Sequence, residues 1–108
     1  MENNKKFYID GQWVNPISPK TLEVINPANE EIITEISVGS EEDVNKAVSA
    51  AKNAFSSFSH TTREERLALF EKIMEVYKKR MPDLAKVITS EMGAPVNLAN
   101  AAQAPAGL

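Results

Sequence analysis

The 108 residues predict an α/β chain in which an N-terminal β-hairpin and further strands precede three to four amphipathic helices. Two changes of pattern carry that expectation. Before Gly39 apolar residues alternate with polar ones, the period of a strand; after Ser40 they recur at three- and four-residue steps, the period of a helix. Capping signatures at Ser40 and over Thr61 to Glu65 then mark where helices begin.

Phe7, Ile9 and Trp13 flank Asp10-Gly11, a dipeptide that tolerates the positive φ angles of a type I′ turn, so residues 7 to 14 read as a hairpin. Pro16 and Pro19 remove two backbone donors and make NPISPK a linker before a second run, Thr21 to Ile25. Asn26-Pro27-Ala28-Asn29 turns the chain, with Asn29 suited to a left-handed conformation. From Glu31 to Val38 the period of two sets Ile32, Thr34, Ile36 and Val38 on one face of a half-buried strand.

Ser40, followed by Glu41, Glu42 and Asp43, combines a hydroxyl cap with carboxylates at the positive end of a helix dipole. Val44, Ala47, Val48, Ala51, Phe55 and Phe58 form the stripe of that first helix. Thr61 to Glu65 begins a second, striped by Leu67, Phe70, Ile73, Met74 and Tyr77, with Lys78-Lys79-Arg80 read as cations at its C-terminal end. Pro82 is expected to break the ladder and open a new helix bearing Leu84, Val87, Ile88 and Met92. Gly93 is a left-handed C-cap, Pro95 blocks continuation, and Val96 to Leu108 reads as an alanine-rich helix that stops without a polar tail, as an interior point of a longer chain would.

At this length a single domain is the expectation. Twelve basic against fifteen acidic residues leave a formal charge of −3, a poor match for a nucleic-acid surface. The N-terminal stretch Met1 to Lys6 holds no export segment, and no run approaches bilayer-spanning length, so the expected location is the cytoplasm, with no membrane partner. The chain has no cysteine, which removes disulfides, thiolate metal ligands and thiol nucleophiles. Its four glycines are too dispersed for a phosphate-cradling loop. His60, the only imidazole, stands just ahead of a cap and reads as a loop or cap residue; a hydrolase built on it would need a distant carboxylate and an oxyanion hole. Glu41 to Asp43 and Glu64-Glu65 fall in first helical turns, where the dipole explains them. No catalytic or cofactor-binding residue is assigned.

The stretches FYIDGQWV, VINPANEEIITEISVGSEEDVNKAVSAAKNAF, REERLALFEKIMEVYKKR and ITSEMGAP, in this order and at these intervals, resemble the N-terminal part of the NAD(P)-dependent aldehyde dehydrogenases. The resemblance covers nearly the whole chain. It implies an α/β parent with a Rossmann-like cofactor domain, of which residues 1–108 are an incomplete N-terminal part. Such a parent oxidises aldehydes to carboxylic acids through a cysteine thiolate with NAD or NADP, and is a homo-oligomer. Its nucleophile, base and cofactor loop lie in later segments, so this chain alone is expected to be inactive, to bind no cofactor, and to have the remainder of the enzyme as its partner. A rival expectation is an independent interaction module, a truncated paralogue that binds a full-length enzyme.

The resemblance also implies one partial site. Many members hold a structural monovalent cation with main-chain oxygens just before the Asn-Pro turn and a carboxylate just before the glycine, positions matched by Val24, Ile25 and Glu91. Two departures stand out. The family often has Thr-Gly where this chain has Asn29-Glu30, and Ala94 stands where a lysine is frequent.

Overall fold

The computed structural model describes residues 3–108, which divide into two compact units. Met1 and Glu2, which open the stretch read as lacking an export segment, lie outside the described residues. One unit takes the chain up to Val24 and then Thr34–Thr61; the other takes Ile25–Ile33 and Thr62–Leu108.

In the first unit, β1 (Phe7–Ile9) and β2 (Gln12–Val14) pair antiparallel with Phe7 opposite Val14 and Ile9 opposite Gln12. Asp10 and Gly11 have φ of 53° and 74°, the double positive angle that a two-residue type I′ loop demands, as the sequence predicts. Alternation then sorts the side chains. Phe7, Ile9 and Val14 are half-buried, while Tyr8 and Trp13 face outward as a directly opposed, edge-on aromatic pair with ring centroids 5.3 Å apart. Phe7 lies against Gly39, where a Cβ would sit 3.5 Å from the ring.

β3 (Thr21–Ile25) and β4 (Ile32–Ser37) make a second two-stranded ribbon, with Val38 N donating to Lys20 O at one end and Asn26 N to Glu31 O at the other. Asn4 Nδ2 donates to Thr34 Oγ1 and Glu35 O, Ser37 Oγ donates to Lys5 O, and Lys5 pairs with Glu35, tying the start of the chain to β4. The strand forms where predicted, but its half-buried face does not: Thr34 and Val38 are partly covered, whereas Ile32 and Ile36 are exposed, as is Ile33 on the other side. A ribbon of two strands has no third layer to cover either face.

The turn before β4 corrects a second expectation. Asn26 Oδ1 accepts from Ala28 N at 2.9 Å and Glu30 N donates to Asn26 O at 2.8 Å, which carries the loop one residue further than Asn29. The left-handed residue is therefore Glu30, at φ 60°, while Asn29 spends its amide on Glu31. Loop geometry overrides residue preference, and Glu30 occupies the position where the family often has glycine.

α1 (Glu41–Phe58) opens with a complete capping box: Ser40 Oγ accepts from Asp43 N, and the Asp43 carboxylate accepts from Ser40 N. α2 opens in the same way with Thr62 and Glu65 and ends at Gly93, φ 68°. It runs unbroken from Arg63 to Met92 with Pro82 inside it, so the predicted joint at Met81-Pro82 is wrong. Proline removes one rung of the ladder, an interior penalty of about 3 kcal/mol or more. The apolar positions on either side of it continue one face of the same helix, which favours a single rod over two helices. It follows that Lys78, Lys79 and Arg80 are mid-helix and that the last turn holds no basic residue.

The alanine-rich tail is likewise not one helix. It passes through α3 (Val96–Leu98), a π-helical turn (Ala99–Gln103) closed by Ala104 N to Ala99 O at 2.9 Å, and a 3₁₀ turn (Pro105–Gly107). Pro105 has no N–H to continue the ladder, and the last rungs widen and then tighten around it. These turns cover α2: Ala85, Ala99 and Ala104 are fully buried with Ile88 against them, and Tyr77 Oη donates to Ala104 O at 2.8 Å.

Little else is inside. Among the described residues no large side chain is fully buried. Val44, Val48, Phe55, Leu67, Phe70 and Ile73, the residues that make the helices amphipathic, are all exposed.

Candidate functional site

The groups able to do chemistry are held at helix ends. His60 Nδ1 lies 2.8 Å from Ser56 O and 3.3 Å from Ser59 Oγ; a carbonyl only accepts, so the Nδ1–H tautomer is the one that bonds Ser56. His60 therefore finishes α1, and among the described residues no hydrogen bond or ion pair joins it to a carboxylate. A Ser-His-acid arrangement is not assembled.

Asp43 is the one buried charged residue among those described. Its Oδ2 accepts from Ser40 N at 2.9 Å and Ser40 Oγ at 2.8 Å, and its Oδ1 accepts from Ile17 N at 3.2 Å. The Ser40 backbone donor holds its carboxyl below the usual aspartate value, helped by the Ser40 hydroxyl, Ile17 N–H and the Lys46 charge, while burial opposes the shift. Glu65 is lowered in the same sense by Thr62 N–H and its hydroxyl. Both are therefore ionised caps. The bond from Ile17 to Asp43 escaped sequence reasoning; the only signal was that Pro16, without an N–H, makes Ile17 the first backbone donor after it in the linker.

A shallow cleft of about 300 Å³ opens beside this carboxylate, lined by Phe7, Tyr8, Ile9, Gly39, Asp43, Val44 and Ala47. Its walls are apolar, and both oxygens of Asp43 already have partners.

Val24 and Ile25 end β3, and Glu91 is the penultimate residue of α2, exposed. In the unit that contains Ile25 and Glu91, Pro27 packs on Gly93 so closely that a Cβ there would lie 3.1 Å from Pro27 Cγ. Ile25 and Glu91 each stand two residues from that contact. Val24 belongs to the other unit. Among the described residues no group of three or more His, Asp or Glu side chains is gathered for a metal ion. No helix among the described residues is long and apolar enough to cross a membrane.

Paired strands, two capped helices and an Asn-Pro turn packed on a left-handed glycine make up an α/β segment without a thiol. The aldehyde dehydrogenase family model matches residues 13–107, and the chain belongs to that family. Within it, the chain is 50% identical along its whole length to a 3-succinoylsemialdehyde-pyridine dehydrogenase of a Pseudomonas species, covering 23% of that protein. It is 45% identical to a putative aldehyde dehydrogenase of Staphylococcus aureus, again over 23% of the relative. Among solved structures, an aldehyde dehydrogenase of Bartonella henselae superposes with a TM-score of 0.95 at 48% identity, over 97% of this chain and 22% of that one. AldC of Pseudomonas syringae, crystallised with NAD+ and octanal, superposes at 0.94 with 42% identity, over 96% of this chain and 21% of its own. The chain thus spans about a fifth of the length of these relatives.

Proposed function

We propose that residues 1–108 are the N-terminal scaffold segment of the cofactor-binding domain of an NAD(P)-dependent aldehyde dehydrogenase, a cytoplasmic homo-oligomer that oxidises aldehydes to carboxylic acids. The observation that carries this reading is the superposition of nearly the whole chain on about a fifth of solved aldehyde dehydrogenases. The missing cysteine supports the corollary that the segment alone does no chemistry and binds no NAD or NADP, because the thiolate is the nucleophile that the resemblance implies. Its partner is then the rest of the enzyme, whose sheet the stripes of α1 and α2 cover. Incubating the purified chain with NAD or NADP and short and long aldehydes is expected to yield no reduced cofactor; turnover above a heat-killed control overturns the inactivity.

In the assembled enzyme, the main-chain oxygens of Val24 and Ile25 and the carboxylate of Glu91 hold a monovalent cation. Hard cations favour oxygen donors, and the packing of Pro27 on Gly93 supports the convergence of Ile25 and Glu91. In an enzyme carrying this segment, Glu91→Gln is expected to remove most of the gain in melting temperature that potassium or sodium brings over a bulky organic cation. An unchanged gain rules Glu91 out.

A further inference from the structure

Among the described residues Asp10 and Glu30 are the two besides glycine that hold a left-handed backbone, at φ 53° and 60°, and their surroundings differ. Glu30 N donates to Asn26 O, and Glu31 follows with a side chain of its own. Asp10 is followed by Gly11, and no other Asp or Asn of the chain precedes a glycine. Both residues of this turn are exposed, and a Cβ built on Gly11 would meet nothing within 4 Å. Among the described residues the Asp10 carboxylate has no hydrogen bond or ion pair, and Gly11 N–H donates to no backbone oxygen. Both oxygens of Asp43, by contrast, are engaged.

Joining Gly11 N to Asp10 Cγ would close a five-membered imide. The ring closes when that nitrogen lies over Cβ, at ψ of about −120° for an L-residue; φ of about +60° with this ψ describes the first central residue of a type II′ turn, the mirror of type II. Types I′ and II′ both join paired strands through two residues, the first at positive φ. Asp10 therefore already has the φ of either turn. Turning over the one peptide plane between Asp10 and Gly11 converts the first turn into the second while Ile9 stays opposite Gln12. Gly11, lacking a side chain, accepts the negative φ that results. The II′ form is a minor state, since its first position favours glycine, so ring closure from it is slow.

We propose that Asp10-Gly11 is a self-modifying site, at which the hairpin turn converts aspartate to isoaspartate through a cyclic imide. Gly11 N attacks Cγ of the protonated Asp10 carboxyl; the N–Cγ bond forms, the Cγ–OH bond breaks, and the hydroxyl leaves with the amide proton as water. Water then adds to one of the two imide carbonyls. Addition at Cγ breaks the new bond and restores aspartate. Addition at the main-chain carbon of Asp10 breaks the original peptide bond and leaves the chain running through Cγ, with the α-carboxylate free. Nothing is oxidised or reduced, and water is the one co-reactant. The product carries an extra methylene in the backbone of a two-residue loop, and because loop length sets hairpin register, the pairing of Phe7 with Val14 is lost. Only the hairpin is involved, so the site stands whether or not the scaffold reading does.

The test holds the purified chain in warm, mildly acidic buffer, with and without concentrated urea, and follows isoaspartate at residue 10 by mass spectrometry and by loss of cleavage by an aspartate-specific protease. Nuclear Overhauser contacts between Phe7 and Val14 report the hairpin. In buffer the hairpin is expected to be present and Asp10 to isomerise at no less than about one third of its rate in urea, because the folded turn already supplies the φ that the ring needs. Phe7–Val14 contacts are expected to vanish from the isomerised fraction, and Asp43 and Asp83 to remain aspartate. A slower rate in buffer means that the turn protects the site and overturns the proposal. So do missing Phe7–Val14 contacts in the unreacted chain, their survival in the isomer, or comparable isomerisation at Asp43 or Asp83.

Discussion

The two halves of α2 share a helix and an apolar arc, yet one is covered and the other is bare. Beyond Pro82, Ala85 is buried and Ile88 packs against it beneath the turns that follow Val96; before it, Leu67, Phe70, Ile73 and Val76 are open. The helix nevertheless runs through both, closed by Thr62 at one end and Gly93 at the other. The ends of the helix are closed on both sides of Pro82, and what varies is whether a covering element lies nearby in sequence. The covered half has its partner within twenty residues. The bare half displays its apolar residues with no cover among the described residues.

The largest way to break the contrast is to lift the cover. A Cβ at Gly107 would collide with Tyr77 Oη, which Ala104 O already holds in place, so Gly107→Ala should destabilise the turns by about 1–3 kcal/mol. Hydrogen exchange at Ala99–Gln103 should then approach that of an uncovered turn; unchanged protection would contradict the assignment. Tyr77→Phe strands the carbonyl of Ala104 and should cost about 1–2 kcal/mol in the same assay, with no added exchange before Phe70. A smaller effect of opposite sign is expected away from α2. Glycine at Glu30 relieves a left-handed side chain, so Glu30→Gly should stabilise by about 0.5–1 kcal/mol in chemical unfolding, net of glycine's entropy.

The smallest prediction concerns the helix ends. Asp43 and Glu65 have folded pKa values below their ordinary ones, so near pH 4 the unfolded chain binds more protons than the folded one. Their stabilisation is complete above the ordinary carboxylate range and is lost as pH falls through the lowered values. Helical circular dichroism should decline on acidification below about pH 4, and less so in Asp43→Asn than in the parent. A decline centred near neutrality would assign the loss to other groups.

Where structure follows from neighbours it was legible in the sequence: the Asp10-Gly11 turn, both capping boxes and the Gly93 terminus each depend on a few adjacent residues. Local rules failed where a longer-range feature outweighed them. Pro82 does not end α2 because a continuous apolar face spans it, and Asn29 yields the left-handed position to Glu30 because the bond from Glu30 N to Asn26 O sets the loop length. The candidate cation site was legible only by resemblance. Carbonyl oxygens at Val24 and Ile25 are the same on every residue type and leave no mark in the sequence, while one carboxylate at Glu91 is indistinguishable from any other near a helix end.

The bond from Ile17 N to Asp43 joins residues 26 apart, and Asp43 at the same time completes the capping box of α1 with Ser40. As a chain leaves the ribosome, Ile17 emerges before its acceptor, so this tie on the linker can close only after Asp43 has followed. The Ile17 amide thereby becomes a clock for that event. Its protection in a pulse-labelling experiment should rise with the amides of α1 rather than with those of the hairpin next to it.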